Sequence, residues 1–235
     1  MFLRSLWAWS ATLLATTVFG TLAILTSWIP PRGRLYLMWA RGWARCVLVL
    51  AGIPVRFEVC ERAERLPAAV FMSNHESAVD ILVLFLAIRQ EVRFLAKRSL
   101  FFIPVIGWSM WLAGFVPVDR RRTEKAKEVF GELEERLKSG ISILVFPEGT
   151  RSRSGELGEF KRSGFLLAMK HALPIVPIGI SGGRTVLPAT GLSLHPGTVS
   201  VRVGDPIPTA GLGVSRREEL MAQVRREIQR LSGRV

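Results

Sequence analysis

The sequence predicts an α/β fold, a mixed, mostly parallel sheet flanked by helices, preceded by an N-terminal apolar helical membrane anchor. Three observations carry that expectation. No charged residue lies between Arg4 and Arg32. After Gly52 the texture changes to short β-branched runs alternating with helical patterns, as layered strands and helices require. The 235-residue chain is 49% hydrophobic, far more than a disordered protein carries.

Residues 6–29 come first. They match the roughly 20 apolar residues that a bilayer-spanning helix needs, with a buried core helix as the alternative. The bulky Trp28-Ile29-Pro30-Pro31 that follows is unlike a signal-peptide cleavage site. Residues 34–50 are apolar but carry Arg34, Arg41 and Arg45. On a helix these arginines share one side, opposite Trp39, Trp43, Val47 and Leu50. That pattern suits a helix in the membrane interface, with tryptophans toward lipid and arginines toward phosphates. The two segments read either as a span followed by an interfacial helix or as a hairpin in one leaflet. More basic residues follow the first segment than precede it, so the second domain is expected to face the cytoplasm.

The domain boundary is expected at Ile53-Pro54, separating anchoring helices (1–53) from a catalytic domain (54–235). Strands are expected at 55–60, 68–72, 115–118, 141–146, 175–180 and 199–203. Helices are expected at 78–88, 122–138, 165–171 and 216–231; in the last, Leu220, Val224, Ile228 and Leu231 recur at helical spacing. Cys46 and Cys60 have no metal or disulfide spacing and read as small buried hydrophobes.

Thirty-two Lys and Arg against 19 Asp and Glu give a net charge of +13, which favours an anionic membrane or a phosphorylated substrate. Nucleic acid is disfavoured: the tryptophans concentrate in the apolar segments and no recognition motif is present.

Two clusters at strand ends carry chemistry, in the loops where α/β sheets collect ligands. The first is Ser73-Asn74-His75-Glu76-Ser77 with Asp80. Histidine is a base near neutral pH when a carboxylate fixes its tautomer. In one continuous helix a five-residue separation would hold the side chains about 140° apart. His75 in the loop before a helix beginning near Ser77 can meet Asp80. Ser77-Ala78-Val79-Asp80 has the capping-box form that marks such a start. The competing reading has Asp80 completing that box and His75 idle in solvent. No metal site is expected: position 79 is Val where a zinc-protease helix needs His, and the other histidines are only His171 and His195. A nucleophilic serine at Gly179-Ile180-Ser181-Gly182-Gly183 is a weaker rival, because no acid lies between Ser181 and His195.

The second cluster is Phe146-Pro147-Glu148-Gly149-Thr150-Arg151-Ser152. Arginine's planar fork suits phosphate oxygens, and hydroxyls and amides add contacts. Arg153, Lys161, Arg162 and the run Arg120-Arg121-Arg122 extend the positive field. Glu148 is expected to hold Arg151 or Arg120, or to bond an acceptor hydroxyl, with a structural ion pair as the alternative. The apolar stretch 101–115 reads as an acyl-chain groove, or as ordinary core or membrane contact.

With both clusters in view, the chain resembles the glycerolipid acyltransferases typified by 1-acylglycerol-3-phosphate (lysophosphatidic acid) acyltransferases. Asn74-His75 with Asp80 looks like the first family block. Gly114 to Arg120 looks like the second, with a shifted local spelling, residues 146–152 the third, and Val176-Pro177-Ile178 the fourth. The resemblance implies His75 and Asp80 as catalytic residues, and Glu148, Gly149, Thr150, Arg151, Arg120 and Lys97 as substrate-binding ones. It further implies an acyl-CoA or acyl-carrier-protein donor, a lysophospholipid acceptor, no cofactor or metal, and acylation of the sn-2 hydroxyl to give phosphatidic acid. Another lysolipid acceptor, or a non-catalytic basic membrane-binding module, is the alternative.

Overall fold

The computed structural model describes residues 2–30, 32–118, 126–152 and 154–234. Its strands are β1 (Val55–Val59), β2 (Val70–Ser73), β3 (Val92–Lys97), β4 (Val116–Val118), β5 (Ser142–Val145), β6 (Ile175–Ser181) and β7 (Val199–Val203). They form one sheet in the order β1-β7-β6-β2-β5-β3-β4. Every pairing is parallel except β6 with β7, so five strands, β6, β2, β5, β3 and β4, run the same way. Strands β2 and β6 are almost wholly buried, which explains their unbroken apolar spelling.

The helices are α1 (Phe2–Leu25), α2 (Arg32–Leu50), α3 (Glu61–Glu64), α4 (Val79–Ala87), α5 (Ile106–Leu112), α6 (Ala126–Lys138), α7 (Ser163–Lys170), α8 (Gly183–Val186) and α9 (Arg217–Ser232). One apolar cluster joins α1, α2 and α4 to the sheet, with Leu37, Ala44 and Leu48 packed among Phe71, Val83 and Val201. The second contains Val70, Met72, Phe165, Val224 and Ile228, covering the sheet with α7 and α9. Helices therefore cover both faces, as expected for an α/β layer fold.

Strand β3 was absent from the sequence expectation because Arg93 breaks its apolar run. That arginine is buried, donating from Nε to the Ala113 carbonyl and from Nη2 to Glu91 at 2.7 Å. A buried cation so paired is compatible with a core strand. Arg122, and with it the start of the helix expected at 122–138, lies outside the described residues.

Helices α1 and α2 form an antiparallel hairpin. Arg4 Nη2 donates to the carbonyls of Ala51 and Gly52, and Trp7 Nε1 to that of Leu50, so the start of α1 lies beside the end of α2. This removes the basis of the single-span charge argument, since the chain returns to the side from which it set out. The tryptophan face of α2 is also corrected: Trp39 and Trp43 donate to Thr26 and Thr16 at 2.9 and 3.0 Å, binding α1. Arg41 caps α4, its Nη2 meeting the carbonyls of Ile88 and Arg89 at 2.8 Å each. A cation there satisfies orphan carbonyls and complements the helix dipole. Helix α1 alone among the described residues is long and apolar enough to cross a bilayer. It buries only Ala8, Ala11, Ala15 and Ala23 and exposes Leu3, Leu6, Leu13 and Leu14. Nearby α5 exposes Trp108 and Trp111.

Candidate active site

The loop after β2 and the turn after β5 meet at the carboxyl ends of the parallel strands. His75 lies in the loop, before α4, and its Nδ1 stands 2.8 Å from Asp80 Oδ2. The same oxygen accepts the backbone N–H groups of Glu76 and Ser77 at 2.7 and 2.8 Å. An oxygen that already accepts two N–H groups has no proton to give the ring, so the geometry assigns the proton to Nδ1 and leaves Nε2 as the basic atom. Asp80 is fully buried, and burial pushes its carboxyl above the usual range, opposed by His75, the Ser77 amide and the charge of Arg151. The imidazole stacks on Phe146, ring centroids 4.0 Å apart.

The capping box is half formed. Asp80 reaches back to the Ser77 amide as the box demands. The Ser77 hydroxyl instead donates to the Leu187 carbonyl at 2.7 Å and accepts from Val79 N–H at 3.3 Å. The cap and the histidine partner, posed as rivals, are thus one carboxylate.

Glu148 is bonded to loop backbone. Its Oε1 accepts the His75 N–H at 3.2 Å and its Oε2 the Gly158 N–H at 2.8 Å. Burial raises this carboxyl, against the two amides, the His75 ring and Arg225. Glu148 therefore clamps loop backbone instead of holding Arg151. Ser152 completes the stitch by donating its N–H to the His75 carbonyl at 2.7 Å. Both backbone groups of His75 are thus tied to the second cluster.

Gly149 adopts φ +72°, a left-handed conformation that glycine takes without strain, so the turn calls for glycine. Thr150 and Arg151 stand exposed at the tip of this turn. Lys97 ends β3 at the same edge of the sheet, one strand beyond β5, and is exposed. Arg120 and Arg153 lie outside the described residues. The structure thus brings together His75, Asp80, Glu148 and the Gly149-Thr150-Arg151 turn.

Sequence reasoning missed what Asn74 and Phe146 do. Asn74 Nδ2 donates to the Ile180 carbonyl and Oδ1 accepts the Ile180 N–H, both at 2.8 Å, extending the pairing of β2 with β6 by one side chain. Polar identity next to His75 was the available signal for Asn74. Nothing in the spelling marks a stacking role for Phe146. The serine rival loses its frame: Ser181 ends β6, but α8 is only four residues long, so no strand-to-helix elbow forms.

A histidine backed by a carboxylate, with exposed cationic groups at the same strand ends of an α/β sheet, is an arrangement able to take a proton beside a bound anion. The acyltransferase family model matches residues 54–181. The chain belongs to the acyltransferase family. It is 32% identical over 210 residues to a 1-acyl-sn-glycerol-3-phosphate acyltransferase of Pseudomonas aeruginosa, covering 86% of this chain and 80% of that one. It is 40% identical over 150 residues to a chloroplastic 1-acyl-sn-glycerol-3-phosphate acyltransferase of Brassica napus, covering 61% of this chain but 43% of the relative. The Arabidopsis thaliana chloroplastic relative is likewise matched over 42% of its length, so the chain spans less than half of these two plant proteins. The fold matches the crystal structure of the 1-acyl-sn-glycerophosphate (LPA) acyltransferase of Thermotoga maritima at TM-score 0.84, 23% identity, covering 100% of this chain and 97% of that one.

Proposed function

We propose that this chain transfers a fatty-acyl group from an acyl thioester to the sn-2 hydroxyl of 1-acylglycerol-3-phosphate, giving phosphatidic acid for phospholipid biosynthesis. The observation that carries the reading is His75 held through Nδ1 by Asp80, with Nε2 left as base and a cationic turn bonded to its backbone. The name of the Pseudomonas aeruginosa relative, a 1-acyl-sn-glycerol-3-phosphate acyltransferase matched over 80% of its length, supports the acceptor.

His75 Nε2 takes the proton of the acceptor hydroxyl as that oxygen attacks the thioester carbonyl carbon. The Nδ1–H bond to Asp80 stabilises the imidazolium that forms. Collapse of the tetrahedral intermediate breaks the carbon–sulfur bond, and the departing thiolate takes the proton from Nε2. No acyl-enzyme is needed. Arg151 holds the acceptor phosphate, with Thr150, Lys97 and Arg120 assigned supporting contacts; Gly149 keeps the turn open, and Glu148 fixes the loop that carries His75. The donor is acyl-CoA or acyl carrier protein, and no cofactor or metal takes part.

Residues 1–53 anchor the protein, the exposed leucines of α1 entering an anionic membrane together with Trp108 and Trp111. The catalytic edge of the sheet faces the cytoplasm, where acyl thioesters are made. The test supplies detergent-solubilised protein with labelled acyl thioester and lysophosphatidic acid, comparing wild type with His75→Ala. Labelled phosphatidic acid from wild type and a loss of about 10² to 10⁴-fold in the folded variant are expected. Full activity in the variant would overturn the mechanism, and transfer by wild type only to another lysolipid would overturn the acceptor.

A further inference from the structure

We propose that Arg234 is a positioning residue for the His75–Asp80 pair, acting through the buried carboxylate of Glu76; the inference rests on reading His75 as the base. Glu76 follows His75 directly and is 5% exposed. A carboxylate so buried needs a cation or several donors. Asn74 Nδ2 supplies one donor at 3.3 Å, and the Arg234 guanidinium forms the ion pair.

The fold delivers that arginine from the far end of the described chain. Helix α9 lies against β6 closely enough that a Cβ on Gly179 would stand 2.3 Å from the backbone carbon of Leu231. The helix stops at Gly233, whose φ of +70° is in the left-handed region. Its N–H bonds the Arg230 carbonyl, and the N–H of Arg234 bonds that of Gln229. This turn sends Arg234 across the end of β6 to the catalytic loop, where it lines a cavity with Glu76, Ser181, Arg184 and His195.

The coupling to chemistry is short. The Glu76 side chain is held by Asn74 and Arg234, and its own backbone N–H donates to Asp80 Oδ2, the oxygen that faces His75 Nδ1. Fixing the side chain therefore fixes the amide that orients the carboxylate. The pair also sets the local charge. The groups around the loop are Asp80 from α4, Glu148 and Arg151 from the turn after β5, and Arg184, His195 and Arg234 around the cavity. Without Arg234, the carboxylate of the residue next to His75 in the chain loses its cation, and the negative charge that Glu76 then carries in the loop favours the imidazolium, so the base is protonated at a higher pH.

Ring NMR of the three histidines, His75, His171 and His195, reads this without turnover. In Arg234→Gln the His75 titration midpoint should move upward. The acid limb of kcat/KM should follow, falling about tenfold well below the midpoint and converging on wild type above it. Arg234→Lys, which keeps the charge, and the double variant Glu76→Gln/Arg234→Gln, which removes both, should return the midpoint toward wild type. Should Arg234→Gln not fold, Glu76→Gln alone should lower the midpoint. An unmoved midpoint in either single variant, or a kcat loss uniform across pH, would overturn the proposal. Wild-type protein that transfers no acyl group to any lysolipid would instead sink the functional reading, leaving the histidine titrations to decide the role of Arg234.

Discussion

Replacing Glu148 by Gln removes one charge and keeps the shape of the side chain, which separates a loop clamp from a substrate ligand. In the structure both carboxylate oxygens accept backbone N–H groups, from His75 at 3.2 Å and Gly158 at 2.8 Å, at a site 8% exposed. The Gln oxygen can serve one of these amides, while its NH₂ faces the other, donor against donor. One buried N–H is left unpaired, costing about 1–3 kcal/mol, and the surviving bond loses its charge assistance. The sum is about 3 kcal/mol, which in a domain of this size lowers Tm by about 6–12 °C. Thermal unfolding in detergent measures the loss, and steady-state kinetics should show a lower kcat at little-changed acceptor KM, because a slip of about 1 Å at His75 costs about 10²-fold. A Tm within about 2 °C of wild type, joined to an acceptor KM raised tenfold or more, would refute the clamp and return Glu148 to the acceptor.

The pH dependence of stability has a definite sign. Burial raises Asp80 and Glu148 above their ordinary values of 3.8 and 4.5, so the folded state binds more protons than the unfolded one from those values up to the raised ones. Their contribution to stability therefore falls as pH climbs through that window and is level above it. Glu134, Glu218 and Glu219 are held low by Lys170, Arg217 and Arg216 and pull the other way, so the wild-type curve minus that of Asp80→Asn is the quantity to compare by urea unfolding. A difference that rises with pH across the window would contradict the argument. In Gly183→Ala the new Cβ would meet Asp80 Oδ1 at 2.8 Å and Ser77 Cβ at 3.3 Å, and kcat should fall about 10- to 100-fold; wild-type turnover would show that the carboxylate tolerates displacement. Asn74→Ala unpairs the N–H and carbonyl of Ile180 and should cost about 2–4 kcal/mol, read as a lower urea midpoint; a loss below about 0.5 kcal/mol would show that the loop needs no tie to β6.

The sequence by itself determined the α/β layering and the placement of both clusters at strand ends, because burial on two faces writes itself as unbroken apolar runs in β2 and β6. It also determined that His75 must precede the helix to meet Asp80, since helical periodicity forbids the contact otherwise. It could not find β3, whose one arginine is neutralised by partners about 20 residues away in Ala113 and two residues away in Glu91. Nor could it turn the tryptophans of α2 inward, because amphipathicity looks alike whether the apolar face meets lipid or another helix. What only the tertiary structure decided was the partnership of the carboxylates. Glu148 with the amides of His75 and Gly158, and Glu76 with Arg234, are matches made across the fold, set by which loops the sheet order brings together. Local sequence records that an acid is present, while its partner is fixed by distances that exist only once the chain has closed.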